Sequence, residues 1–133
     1  MSIQLENKDL INAQQMEVGI HGPDGATYLI LCTGVADLGS VGQESYTFLV
    51  GPKLSRRQFV GAIASGALAT MESYSNLATS PNNKLETNLI LINAVYDDES
   101  NRIKVRAEVA SSIVLKKLTI SYNVSILAEL PMY

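Results

Sequence analysis

Two segments in the last third of the sequence alternate strictly between apolar and polar residues, and this pattern constrains the fold more than any other feature. Residues 102–109 carry an apolar residue at every second position, namely Ile103, Val105, Ala107 and Val109. Residues 117–126 repeat the pattern with Leu118, Ile120, Tyr122, Val124 and Ile126. Alternation with a period of two is typical of a β-strand with one face in water. Both segments are therefore predicted to be strands of a sheet that is solvated on one side.

Shorter apolar runs predict further strands. Residues 89–96 are mainly apolar, and a polar turn at residues 97–101 joins them to the first alternating segment, which predicts a hairpin. Residues 26–35 contain a continuous apolar run between turn residues, which is typical of a strand buried on both faces. Residues 45–50 predict another short strand, and residues 15–20 predict one with a weaker pattern.

A helix is predicted over residues 55–76. Apolar residues recur there at intervals of four, four, four and three, at Phe59, Ile63, Ala67, Met71 and Tyr74. That spacing places them on one face of a helix. Ser55 and Gln58 match the S-x-x-Q capping box that begins many helices.

These elements together predict an α+β fold, with a largely antiparallel sheet and one main helix packed on a face. Residues 1–14 are predicted to form a polar N-terminal leader or arm, and residues 15–133 a single α+β domain. A chain of 133 residues suits one domain and can bury a core without disulfides or metals. Residues 36–45 and 77–85 read as loops.

The predicted helix carries no charge between Arg57 and Glu72, and its other faces hold small residues such as Gly61, Ser65 and Gly66. Because glycine costs about 1 kcal/mol in a helix interior, we expect these glycines to serve close packing. The helix is therefore expected to be covered on most sides, in part by another chain.

Basic residues supply a second set of candidate contacts. Arg56 and Arg57 stand at the predicted helix start, where positive charge opposes the helix dipole, so an intermolecular ion pair is the functional interpretation. Arg102, Lys104 and Arg106 form a basic stripe, which is either a solvated strand face or a contact with an acidic protein neighbour.

Reactive side chains are scarce. The chain has one Cys, one His and no Trp, which excludes an intrachain disulfide and a zinc site built from Cys and His alone. His21 lies in a turn sequence, Cys32 lies in an apolar run, and the consecutive acids of residues 97–99 lack the spacing of a calcium loop. No catalytic, cofactor-binding or metal-binding residue is predicted, and no cofactor is expected.

Charge and targeting patterns narrow the setting. A net charge of -3 argues against direct nucleic-acid binding, and no apolar stretch is long enough to span a membrane. The first residues lack the basic and apolar regions of a secretory signal. Residues 55–60 resemble a twin-arginine export signature built on Arg56 and Arg57, but an export signal belongs at a chain start. Export therefore remains a third-ranked alternative.

The order of elements from residue 58 to residue 109 resembles the small baseplate-wedge family of contractile phage tails, which is lysozyme-like but not catalytic. The parts that match are the predicted helix at residues 58–74, the apolar strand at 89–96, the acidic turn at 97–101 and the alternating strand at 102–109. The family's Glu-Pro-Arg entry to the strand is absent, because this chain has Lys84-Leu85-Glu86-Thr87 there. The resemblance implies a structural component of a phage tail, baseplate or neck.

The sequence therefore predicts a non-enzymatic structural protein that acts through subunit packing in a virion assembled in the host cytoplasm. Its expected partners are other copies of itself and other structural subunits, with no direct nucleic acid and no membrane. The alternative is a cytoplasmic small-molecule-binding module or small enzyme. Its pocket would lie between the sheet and the helix, with Tyr28, Tyr46, Tyr122 and His21 as polar groups.

Overall fold

The computed structural model describes residues 2–22, 25–41, 44–73, 87–112 and 114–129. The described residues form eight strands and a short 3₁₀ helix at Asn7–Asp9. The strands are β1 (Ser2–Gln4), β2 (Leu10–Gly22), β3 (Gly25–Val41), β4 (Glu44–Val50), β5 (Phe59–Ser73), β6 (Thr87–Asp97), β7 (Arg102–Ser111) and β8 (Leu115–Glu129). The predicted loop at residues 77–85 lies outside the described residues.

The strands form two four-stranded sheets that share one core. The first sheet has the strand order β1-β4-β7-β6, and the second has the order β2-β3-β8-β5. All neighbours run antiparallel except β1 and β4, which are parallel. Phe48 of β4 and Tyr122 of β8 pack across the interior with their ring centroids 5.0 Å apart. The architecture is therefore a two-layer β-sandwich.

The alternating segments supply the core as the sequence predicts. The apolar residues of β7 that occupy every second position are fully buried, and so are those of β8 from Leu118 to Ile126. Tyr46, Phe48 and Val50 of β4 join the same core. The predicted hairpin of residues 89–109 is confirmed as β6 and β7, which pair from Thr87 with Ser111 to Asp97 with Arg102.

The predicted helix is wrong, and with it the α+β fold class. Residues 59–73 form strand β5, which pairs with β8 from Phe59 opposite Ala128 to Ser73 opposite Leu115. Residues four apart lie on one side of a strand as well as on one face of a helix, because four is a multiple of two. Ile63 and Ala67 accordingly both point outward in β5, so their spacing could not distinguish the two structures. Tyr74, which supplied the interval of three, lies outside the described residues.

The capping box forms, but it starts only one turn. The Ser55 backbone N–H donates to Gln58 Oε1 at 2.9 Å, and the Gln58 N–H donates to Ser55 Oγ at 3.3 Å. The Phe59 N–H donates to the Ser55 carbonyl at 3.2 Å, after which the chain is extended. Pairing along the whole of β8 therefore overrides the local preference for a helix.

The remaining predicted strands lie within longer ones. The residue 26–35 strand is part of β3, but it is not buried on both faces, because Leu29 and Leu31 are only half-buried. The predicted loop at residues 36–45 is wrong where it is described, since residues 36–41 continue β3 and residues 44–45 begin β4. Residues 15–20 lie inside β2. Residues 2–4 of the predicted leader form β1, and Leu5 is buried with its N–H donating to the Thr47 carbonyl at 2.7 Å.

Candidate interaction surface

The outer faces of the two sheets differ in charge. On the first sheet, β7 presents Arg102, Lys104, Arg106 and Glu108 outward, because the residues between them face the core. Thr47 of β4 and Asn93 of β6 flank Arg106 in register. This face carries the basic stripe that the sequence predicts as an interface, with the exposed apolar residues Val95 and Leu91 of β6 beside it.

Two members of the basic stripe have acidic partners within the chain. Lys104 Nζ lies 3.4 Å from Asp97 Oδ1, and an Arg106 guanidinium nitrogen lies 2.7 Å from Glu108 Oε1. Asp97 Oδ2 also accepts a hydrogen bond from the Ser100 hydroxyl at 2.6 Å, which lowers the pKa of the Asp97 carboxyl. The stripe therefore offers less unpaired positive charge than its sequence suggests.

Arg102 binds the backbone of the turn that follows β4. Its Nε donates to the Gly51 carbonyl at 2.8 Å. Gly51 has a φ of 79°, and a Cβ there would lie 2.8 Å from Ile126 Cδ1, so the turn requires glycine. An open cleft of about 240 Å³ lies beside this contact and is lined partly by Gln15 and Cys32.

Arg56 and Arg57 lie in the exposed turn before β5. An Arg56 guanidinium nitrogen lies 2.8 Å from Asp98 Oδ1, and the guanidinium carbon lies 5.6 Å from the centre of the Tyr96 ring. Arg56, which the sequence predicts to pair with an acid of another chain, therefore has an ion-pair partner in its own chain. Both of its side chains are largely exposed, so the pair contributes little to stability.

The outer face of the second sheet has a different composition. Residues paired across β2, β3, β8 and β5 point to the same side, and they form four rows. The rows are Ile11, Val35, Ser121 and Ala67; Gln14, Thr33, Asn123 and Ser65; Met16, Leu31, Ser125 and Ile63; and Val18, Leu29, Leu127 and Gly61. None of these residues is charged, and we refer to the four rows as the uncharged face.

Several large side chains of the uncharged face are open to solvent. Ile63 is 76% exposed and Met16 is 62% exposed, and Val18 is also exposed. Charged residues begin only beyond the rows, where Lys117 Nζ lies 3.8 Å from Asp37 Oδ2 at one end and Glu129 stands at the other. Exposed apolar side chains that cluster on one face make it a candidate site of contact with other molecules.

The small residues predicted as contacts divide between the two sides of β5. Gly61 and Ser65 belong to the uncharged face. Gly66 faces the interior, where a Cβ would lie 2.8 Å from the Ser121 carbonyl oxygen and 2.9 Å from Ile92 Cδ1. Gly66 therefore serves close packing within the chain. The sequence did not single out Met16, Val18, Leu29 or Leu31, although apolar residues at positions 16, 18 and 20 alternate in β2.

The groups considered for chemistry are mostly buried. Burial raises the pKa of the Cys32 thiol, with Arg102 acting in the opposite direction. Burial also raises the pKa values of Tyr46 and Tyr122. His21 is in β2, but its side chain lies outside the described part of the structure. The alternative pocket needs a helix at residues 55–76, but residues 59–73 form strand β5.

The described residues lack two further kinds of feature. No three His, Cys, Asp or Glu side chains of that part of the chain lie close enough together to hold a metal. Within the same residues, no helix has the length and apolar character needed to cross a membrane.

Comparison of the chain with protein-family models, with curated proteins and with solved structures gives no match.

Proposed function

We propose that this protein is a non-enzymatic assembly subunit that buries the uncharged face against other copies of itself and against other structural subunits. The observation that carries the proposal is the absence of charge from four complete rows of the second sheet, which include the exposed Ile63 and Met16. The first sheet, by contrast, presents ion pairs to solvent on β7.

The size of the face supports this role. Four strands about 4.8 Å apart and four rows about 7 Å apart cover roughly 500 Å² in projection. Buried apolar surface contributes about 25 cal/mol per Å² to association. Because the face carries no charge, the faces of two copies can pack together without electrostatic repulsion and without the cost of desolvating ions.

The setting we propose is a phage tail, baseplate or neck within a virion. It comes from the resemblance to the baseplate-wedge family. Of the parts that carry that resemblance, the hairpin of β6 and β7 and its acidic turn are present, whereas the helix is replaced by β5.

The test compares two single substitutions to lysine by light scattering after size-exclusion chromatography. Ile63→Lys places a charge at the most exposed large apolar residue of the uncharged face, and the matched control Asn93→Lys places it on the exposed outer face of the first sheet. We expect the particle mass to fall for Ile63→Lys and to remain at the wild-type value for Asn93→Lys. Equal masses for the two variants would contradict the proposal.

A further inference from the structure

Among the described residues, strand β2 has a pairing partner on one side only. It ends the second sheet, and β3 is the strand with which it pairs among the described residues. Residues 11–20 are exposed at every position, so both faces of this part of β2 meet solvent along with its free edge. A strand of thirteen residues in this state presents a long row of unpaired backbone N–H and C=O groups.

From Gln14 to Gly22, the free edge of β2 lacks the Lys, Pro and bulges that usually prevent strand pairing. Proteins protect such edges with Lys, Pro, bulges or very short strands. From Leu10 to Gly22 there is no Pro, Lys or Arg, and Glu17 is the one charged residue. The bulge of β2 lies between Ile11 and Gln14, where Asn12 has a φ of 54°. The nine residues that follow, from Gln14 to Gly22, pair with β3 without interruption.

This uninterrupted segment is self-complementary in one antiparallel register. Its middle residue is Val18, so a two-fold axis at Val18 aligns all nine residues with those of a second copy. Val18 then lies opposite the partner's Val18, and Met16 lies opposite the partner's Ile20. On the other face, Glu17 lies opposite the partner's Gly19.

The two registers that are shifted toward the bulge are less favourable. An axis at Glu17 places two carboxylates directly opposite each other, which destabilises a strand pair. An axis at Met16 brings Ile20 opposite the partner's Asn12, which lies in the bulge. The register centred on Val18 avoids both.

We infer that the edge of β2 pairs antiparallel with β2 of a second copy about a two-fold axis at Val18, which joins two second sheets into one eight-stranded sheet. Nine residue pairs supply about eight to ten backbone hydrogen bonds. The outer side of the pair is apolar, and it continues the uncharged face of each copy into the next. This inference rests on the proposed function, because both take another copy as the partner.

Cysteine cross-linking of the full chain tests both the contact and its register. Val18→Cys, Met16→Cys and Ile20→Cys are each treated with a short bifunctional maleimide and separated by denaturing electrophoresis. Paired Cβ atoms lie about 4.5–5.5 Å apart across antiparallel strands, within reach of the reagent. Asn93→Cys measures random collision, and the native Cys32 is buried and common to all variants.

We expect Val18→Cys to cross-link about a hundredfold faster than Asn93→Cys, because a preformed pair has an effective concentration in the mM range. Met16→Cys mixed with Ile20→Cys should cross-link faster than either variant alone, since these positions oppose each other.

The contradicting outcomes separate the inference from the proposed function. If Ile63→Cys cross-links faster than the collision rate while Val18→Cys reacts only at that rate, the β2 contact is overturned and association through the uncharged face remains. Fast reaction of Val18→Cys without any gain from mixing the other two would overturn the register. A monomer that cross-links at no position would overturn both the inference and the proposed function.

Discussion

At the scale of single residues, Gly61 and Gly66 lie in the same strand but have opposite surroundings. A Cβ at Gly66 would meet the Ser121 carbonyl oxygen at 2.8 Å, whereas a Cβ at Gly61 would have no atom within 4 Å. We expect Gly66→Ala to lower the free energy of unfolding by about 1–3 kcal/mol, since the backbone or Ile92 must move. Gly61→Ala should be neutral or slightly stabilising, because alanine loses less chain entropy on folding. Urea unfolding of Gly66→Ala and Gly61→Ala measures the difference between their free energies of unfolding, and equal values would contradict the packing described for β5.

Asp97 makes the stability of the β6–β7 turn depend on pH. Its carboxylate accepts hydrogen bonds from the Ser100 hydroxyl and N–H and lies near Lys104, and these contacts lower its pKa from the usual 3.8. Because the pKa is lower in the folded chain, the ionised carboxylate stabilises the folded chain at pH values above the pKa of the unfolded chain. This contribution is lost as the pH falls through the pKa of the folded chain.

We therefore expect Asp97→Asn to be less stable than the wild type at pH 7. The gap between their urea midpoints should narrow as the pH falls below about 4 and close once the Asp97 carboxyl is protonated in the folded chain as well. A gap of constant size from pH 7 to pH 2 would show that the ionised carboxylate makes no contribution.

At the scale of elements, the assignment of β5 can be tested by the direction of its side chains. In the strand, Ile63 points outward and Ala64 points toward the core. In the predicted helix, Ile63 would instead belong to the packed face. At a protein concentration low enough to dissociate any assembly, we expect Ile63→Lys to change the free energy of unfolding of the protomer by less than about 0.5 kcal/mol, because exposed positions tolerate substitution. Ala64→Lys should cost about 3 kcal/mol or more, because it forces a charge toward the core. The opposite order, measured by urea unfolding, would favour the helix.

The elements differ in how well the sequence predicts them, and the reason is physical. β7 and β8 are amphipathic, so their alternation is set by one buried face and can be read locally. β5 is rich in Ala and Gly, residues with little preference for strands, and its conformation depends on pairing with β8, which lies about fifty residues away. The capping contacts of Ser55 and Gln58 were also predictable, but they do not decide how far a helix extends.

At the scale of the whole molecule, the candidate surface arises from strands that are distant in sequence. Met16, Leu31 and Ile63 share one row only because β2, β3, β8 and β5 are neighbours in the second sheet. No local pattern contains that adjacency, so the sequence could indicate Gly61 and Ser65 as contacts but not the face to which they belong. The basic residues Arg102, Lys104 and Arg106 lie on the other sheet, and they stay predictions as contacts with an acidic neighbour.

Sedimentation equilibrium of the wild-type chain over a wide concentration range tests the central claim most directly. The protomer has a mass of 14.4 kDa. An assembly subunit with an uncharged outer face that exposes Ile63, Met16 and Val18 should show a weight-average mass above that value, rising with concentration as hydrophobic contacts form. A mass that stays at 14.4 kDa up to the highest concentration would contradict the account.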